Sequence, residues 1–439
     1  MPKPTQKTSG RKPGKASATS TDVPRLAIAC QGGGAHTAFT AGVLAYLFLS
    51  FEHFRTIGEE GRWFRLVGLS GTSGGAITAA MAWSEAPDGS WAEGARRVLR
   101  YWNRNKASLD TRDKLPIWWG EYFTNAATQW ALGLQRWLPA VSLPPSAFAS
   151  SLVQGRMKDD MRAVVGLPDQ ADHFFGRKGV DLFVGAVDVV NPGNEPQTAF
   201  RTFPDQPAFG LRLDELLASA CIPELFIATP LSVQEDKGSG SGARVFWDGL
   251  YSQNPPINDF FDGRSRDCKP DLLWVVQINP NRYEGGDAGP LSPDDQADRR
   301  NELAGNLSLG QELRAIDRIN RIAEELGDLP DLPKSLAAYK PVTVNFIRLG
   351  SREEGPLADY PLNYASKLNR DPAFIDALIA EGIRAAHKAA SAHELVRPHQ
   401  SMKQKCEIYP DPDWPEPAAL AGLLDDPALA RQWRQLATA

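Results

Sequence analysis

The stretch that most constrains this chain is Gly71-Thr72-Ser73-Gly74-Gly75. Before it, Arg65-Leu66-Val67-Gly68-Leu69 reads as a short buried strand; after it, Ala76 to Trp83 reads as the first turns of a helix. A serine flanked by glycines between a strand and a helix has the pattern of a nucleophile elbow. The turn is sharp, so the positions two before and two after the serine must pack closely, which is a steric reason for Gly71 and Gly75. The helix that follows would turn the positive end of its dipole toward Ser73. The plain alternative is a glycine-rich turn with an N-cap serine.

The residues upstream favour the first reading. Arg25 to Cys30 is a continuous apolar run that reads as a strand, and it leads into Gln31-Gly32-Gly33-Gly34-Ala35-His36-Thr37. A helix apolar around most of its circumference follows, from about Ala38 to Phe51. Strand, glycine loop, helix, strand and elbow make a βαβα opening, which predicts an α/β sheet with helices on both faces. Three successive glycines leave N–H groups unshielded at a helix start, a geometry that suits an anion. A dinucleotide loop would need glycine where Thr37 stands, and a phosphate-binding loop would need G-K-[ST]. An oxyanion site for Ser73 fits better, because an elbow needs one from a neighbouring strand–helix loop.

Further along, strands are predicted over Val180–Val190, Ala243–Trp247, Leu272–Ile278 and Pro341–Leu349, and helices over Leu211–Ala220, Asn301–Leu326 and Pro372–Leu395. The stretches 234–242 and 281–300 read as surface loops, and the proline-rich chain from Pro398 as a tail wrapping the surface. Seven tryptophans fall at 83, 91, 102, 118, 119, 130 and 137. They read either as a helical insertion whose aromatics are core, or as a lid dipping toward a bilayer interface. This organisation gives a basic tail over 1–24, a catalytic domain over 25–260 with the tryptophan-rich insertion at 83–150, a completing region over 261–400, and a tail over 401–439.

Charge sets limits on partners. The chain of 439 residues carries a net −5, so nucleic acid is not an expected partner. Residues 1–25 alone carry +5, a basic segment on an acidic body that could touch anionic lipid or simply be solvated. No run of about 18 uninterrupted apolar residues appears, and no apolar stretch of a signal peptide follows the basic start. The scattered Cys30, Cys221, Cys268 and Cys406 form no CxxC pair. Cys30 and Cys221 read as buried free thiols, which points to a cytoplasmic location.

A serine nucleophile needs a base and oxyanion donors. A triad in chain order Ser…Asp…His would draw on His387, His393 or His399, which sit on or just after the last long helix rather than in a loop after a strand. A Ser–Asp dyad is the other solution. Here Gly32-Gly33-Gly34-Ala35-His36-Thr37, the elbow, Ala218-Ser219-Ala220-Cys221-Ile222-Pro223 and Asp248-Gly249-Leu250 occur in the order and spacing of one family's motifs. Over residues 25–260 the chain resembles the patatin-like phospholipases.

The resemblance implies a three-layer α/β/α fold with a mainly parallel sheet, hydrolysis of a lipid or other acyl ester, and no metal or organic cofactor. It assigns Ser73 as nucleophile, Asp248 as base, the N–H groups of Gly32, Gly33 and Gly34 as oxyanion donors, and Gly249 as part of the aspartate motif. Three positions depart from the family pattern: His36 stands for a basic residue, Thr37 for glycine, and Leu250 for glycine or alanine. A β-branched Thr37 would resist a left-handed backbone. A carboxylate of ordinary basicity is a weak base for a serine hydroxyl, so the dyad requires a buried aspartate, with Trp247 expected as its apolar wall. A non-catalytic lipid-binding protein on the same fold is the remaining alternative.

Overall fold

The computed structural model describes residues 23–86, 88–107, 125–130, 147–190, 199–204, 207–223, 226–234, 241–280, 293–326, 333, 336, 338–350, 355–392 and 412–439. Ten strands are described: β1 Arg25–Cys30, β2 Arg65–Thr72, β3 His173–Phe174, β4 Asp181–Asp188, β5 Phe200–Phe203, β6 Leu211–Arg212, β7 Thr229–Gln234, β8 Ser241–Asp248, β9 Leu272–Gln277 and β10 Thr343–Arg348. The main sheet has the order β10-β9-β1-β2-β4-β8-β7, with β5 added on β4. From β10 to β4 every pairing is parallel, and β5, β8 and β7 pair antiparallel.

The helices are α1 Ala38–Thr56, α2 Gly74–Trp83, α3 Trp91–Asn105, α4 Ala147–Val165, α5 Leu213–Ser219, α6 Pro293–Leu326, α7 Pro372–Ser391 and α8 Pro427–Thr438. Alternation along β1 divides them into layers. Leu26, Ile28 and Cys30 face a core built with α1, α2, α3, α7 and α8. Ala27 and Ala29 face a smaller core with Ile257, Phe260, Leu273, Val275 and, from α6, Leu309 and Ile316. Helices therefore cover both faces of a mostly parallel sheet, the three-layer α/β/α arrangement.

The stretch Gly34–Thr56 is long and apolar enough to cross a membrane, but 94% of its most apolar window is buried inside the protein. Its all-round apolarity is that of a central core helix, sandwiched between sheet and outer helices. Cys30 and Cys221 are buried free thiols, as their apolar surroundings in the sequence suggest.

Two expectations change. The loop expected over 281–300 gives way to α6 at Pro293, where proline's fixed φ and missing N–H suit the first helical position. The part of the expected C-terminal tail that is described, 412–439, is packed against the body. It forms a 3₁₀ turn over Pro417–Leu424 and then α8, with Leu424 and Trp433 fully buried and Trp414 stacked on Phe64.

The tryptophan-rich segment divides between core and surface. Trp83 donates to the Val180 carbonyl and Trp102 to Thr78 Oγ1, both buried, while Trp130 in the helical turn 125–130 is 69% exposed. Trp118, Trp119 and Trp137 lie outside the described residues.

Candidate active site

The carboxyl ends of β1 and β2 lie side by side, Cys30 pairing with Gly71. Their following loops, the triple glycine and the elbow, are therefore neighbours at one edge of the sheet, where ligands bind in folds of this kind. Ser73 has φ 56°, one of two non-glycine residues among those described with a left-handed φ. A backbone held there for a serine stores roughly 1–3 kcal/mol of strain, the mark of an elbow rather than an ordinary N-cap. Ser73 makes no side-chain capping bond to α2, and it is 6% exposed.

The glycines are explained by close approach. A Cβ on Gly75 would lie 2.6 Å from the carbonyl oxygens of Cys30 and Gln31, and one on Gly71 would lie 2.6 Å from the Ala76 nitrogen. A Cβ on Gly32 would lie 2.3 Å from the Thr72 oxygen and 2.9 Å from Ser73 Cβ. The glycine loop thus packs directly on the nucleophile candidate.

Asp248 reaches the same edge from the antiparallel side. Thr72 pairs with Gly185 on β4, and Asp248 pairs with Ala186, the next residue of that strand. Ser73 and Asp248 therefore stand level, two strand spacings or about 10 Å apart in backbone. Asp248 is fully buried, caps the 3₁₀ turn Gly249–Tyr251 by accepting the Leu250 N–H at 2.8 Å, and donates its own N–H to the Cys221 carbonyl at 2.9 Å. A Cβ on Gly249 would lie 2.4 Å from the Gly185 oxygen, so this position too must be glycine.

Ser219 binds these parts together. Its Oγ accepts the Ser73 N–H at 2.9 Å and donates to the Gly185 carbonyl at 2.7 Å. The Ala218–Pro223 motif thus fixes the elbow through Ser219 and the aspartate through Cys221. The sequence singled out this motif without a role for either residue.

Three local expectations are corrected, at Trp247, Thr37 and Gly32. Trp247 is not a wall around Asp248: strand alternation sends it to the other face, 38% exposed, and the turn residue Leu250 is the buried one. Leu250 fits without disturbance, facing the place a Cβ on Gly305 of α6 would occupy. Thr37 adopts a right-handed helical backbone, φ −72°, and bonds the Gly34 carbonyl through Oγ1 at 2.6 Å, so it meets no steric conflict. The Gly32 N–H is taken, donating to Asn254 Oδ1 at 2.6 Å. Among the described residues, the N–H groups of Gly33 and Gly34 have no such partner.

Gln31 braces the loop from below: Oε1 accepts the N–H groups of Ile278 and Asn279, and Nε2 donates to Asn306 of α6. The histidine of the triad alternative is elsewhere. His387 contacts Tyr46, more than two turns along α1, and faces Glu416; His393 and His399 lie outside the described residues. Among the described residues no cluster of His, Cys, Asp and Glu could hold a metal ion. A cleft of about 240 Å³ lined by Phe51, Phe54, Trp63, Phe64 and Trp91 lies at the opposite end of β2, beside Arg65, and is separate from this site.

A strained serine at a strand–helix turn, a glycine loop beside it and a buried aspartate on the same edge form the candidate site on an α/β/α fold. The family model of the patatin-like phospholipases matches residues 28–261, and the chain belongs to that family. Its members are generally lipid acyl hydrolases. No curated protein matches the chain. Among solved structures, VipD from Legionella pneumophila is similar at 12% identity over 84% of this chain and 67% of that one, with a TM-score of 0.28, too low to bear on fold or function.

Proposed function

We propose that the protein hydrolyses acyl esters of lipids with Ser73 as nucleophile and Asp248 as general base. Ser73 attacks the ester carbonyl while Asp248 takes its proton; the protonated Asp248 then gives that proton to the departing alkoxide, the alcohol leaves, and an acyl-Ser73 ester remains beside a regenerated carboxylate. Water, deprotonated by Asp248, then releases the fatty acid and restores the serine hydroxyl. The N–H groups of Gly33 and Gly34 face the developing oxyanion, with the α2 N-terminus adding a favourable dipole. Gly32 serves instead as the tie between this loop and the segment after Asp248.

The observation that carries the reading is the strand register that sets Ser73 and Asp248 level on one sheet edge, with Ser219 bonded to the elbow between them. The test is hydrolysis of a p-nitrophenyl acyl ester by Ser73→Ala and Asp248→Asn. Both are expected to be inactive and folded. Full activity in either would refute the dyad, and activity lost only in a His387 variant would favour the triad. We propose a cytoplasmic location with peripheral membrane contact, tested by fractionation and by sedimentation with anionic vesicles.

A further inference from the structure

We infer that Lys367, on a turn beyond the family-matched residues, is a positioning residue that sets the oxyanion loop. The inference rests on the role proposed for that loop. Lys367 belongs to the 3₁₀ turn Ala365–Leu368. Its ammonium is buried and donates to Asn279 Oδ1 at 2.7 Å and to Asn301 Oδ1. Among the described residues no carboxylate pairs with it directly. A buried cation whose direct partners are neutral amides, with Glu302 and Asp298 acting on it only from a distance, is unfavourable for stability alone.

Its placement accounts for its presence. A Cβ on Gly34 would lie 2.2 Å from the Lys367 carbonyl oxygen, and one on Gly33 would lie 3.8 Å from Lys367 Cε. Backbone and stem therefore lie along the two glycines whose N–H groups are open. The neighbouring Ser366 Oγ is 2.7 Å from His36 Nε2 at the far end of the same loop. The two amides that hold the ammonium come from the end of β9 and from α6, and Asn279 also donates its N–H to Gln31, where the loop begins. The turn thus grips the loop at Gly33, Gly34 and His36, and Lys367 fastens the turn to sheet and helix. Burial pulls its pKa down to about 8, against the pull of Glu302 and Asp298 on α6. Arg299, which pairs with Glu302, and His36, which meets Ser366 Oγ, are further titratable groups beside the turn.

The experiment is steady-state hydrolysis of p-nitrophenyl butyrate by Lys367→Met, Lys367→Arg and Asn301→Ala, with thermal melts of each. Lys367→Met is expected to lower kcat about 10- to 100-fold with KM changed less than about threefold. Lys367→Arg recovers part of that loss, and Asn301→Ala loses rate in the same direction. Wild-type kcat falls above about pH 8, a limb absent from Lys367→Met. A folded Lys367→Met with wild-type kcat overturns the inference. If that variant does not fold, wild-type kcat in Asn301→Ala overturns it. A wild type whose turnover does not depend on Ser73 would instead refute the underlying role of the loop.

Discussion

The N–H of Gly32 donates to Asn254 Oδ1 at 2.6 Å, across 222 residues of sequence. This bond joins the glycine loop to the segment that follows Asp248, so the proposed base and the proposed oxyanion site share one support. Removing it with Asn254→Ala leaves the buried Gly32 N–H unpaired, which costs about 1–3 kcal/mol. Asn254→Asp keeps an acceptor but places a carboxylate beside the site where negative charge develops. We expect Asn254→Asp to keep more stability than Asn254→Ala yet lose more kcat, measured by urea unfolding and ester hydrolysis side by side.

Ser219 offers a second test. Its hydroxyl holds both the Ser73 N–H and the Gly185 carbonyl, all buried. Ser219→Ala orphans both groups. Stability is expected to fall by about 1–3 kcal/mol, with kcat reduced roughly 10-fold as the elbow loosens. Chemical denaturation and initial rates check the two numbers independently.

Strain at the nucleophile should be visible in stability. Ser73 sits at φ 56°, where glycine is at ease and alanine is not. Ser73→Gly is therefore expected to be more stable than Ser73→Ala by about 1 kcal/mol, while both are inactive. Paired urea midpoints decide this.

The segment after Asp248 carries a pH dependence. Glu312 of α6 accepts the N–H groups of Asn258 and Ile257, and burial pushes its carboxyl up to about 7, with Asp259 adding to the rise against those two bonds. The folded state therefore binds this proton more tightly than the unfolded chain, whose glutamate titrates near 4.5. The resulting stability is full below about pH 4.5 and is lost as pH rises through about 7, on the order of 3 kcal/mol. Glu312→Gln keeps an acceptor for both N–H groups without the charge. Its melting temperature is expected to match wild type at pH 4.5 and to exceed it at pH 8.

Much of the site's first half was legible locally. The apolar runs of β1 and β2, the three glycines and the elbow impose their geometry over a few residues, so Arg25–Cys30 and the Ser73 turn follow from sterics and periodicity. The alternation that hides Trp247 from Asp248 was also available in the strand pattern, since neighbours on a strand face opposite ways. What the sequence did not carry is the long-range wiring. Nothing near Asn254 or Lys367 announces a partner in the glycine loop, because each lies more than 200 residues from it. The start of α6 is not legible in the sequence, because polar residues and proline mask a helix that the packing of its later turns supports. The proline content around 398–417 masks the terminal 3₁₀ turn and helix, whose Leu424, Leu429 and Trp433 show their role only by packing into the core.

In the proposed mechanism Ser73 carries the acyl group and Asp248 moves the proton. The most direct measurement is peptide mass mapping after reaction with a fluorophosphonate, alongside ester turnover. A single adduct is expected on the peptide containing Ser73, with no adduct in Ser73→Ala, and labelling and turnover slowed by about 100-fold or more in Asp248→Asn. An adduct on another serine, or undiminished hydrolysis by Ser73→Ala, would contradict this mechanism.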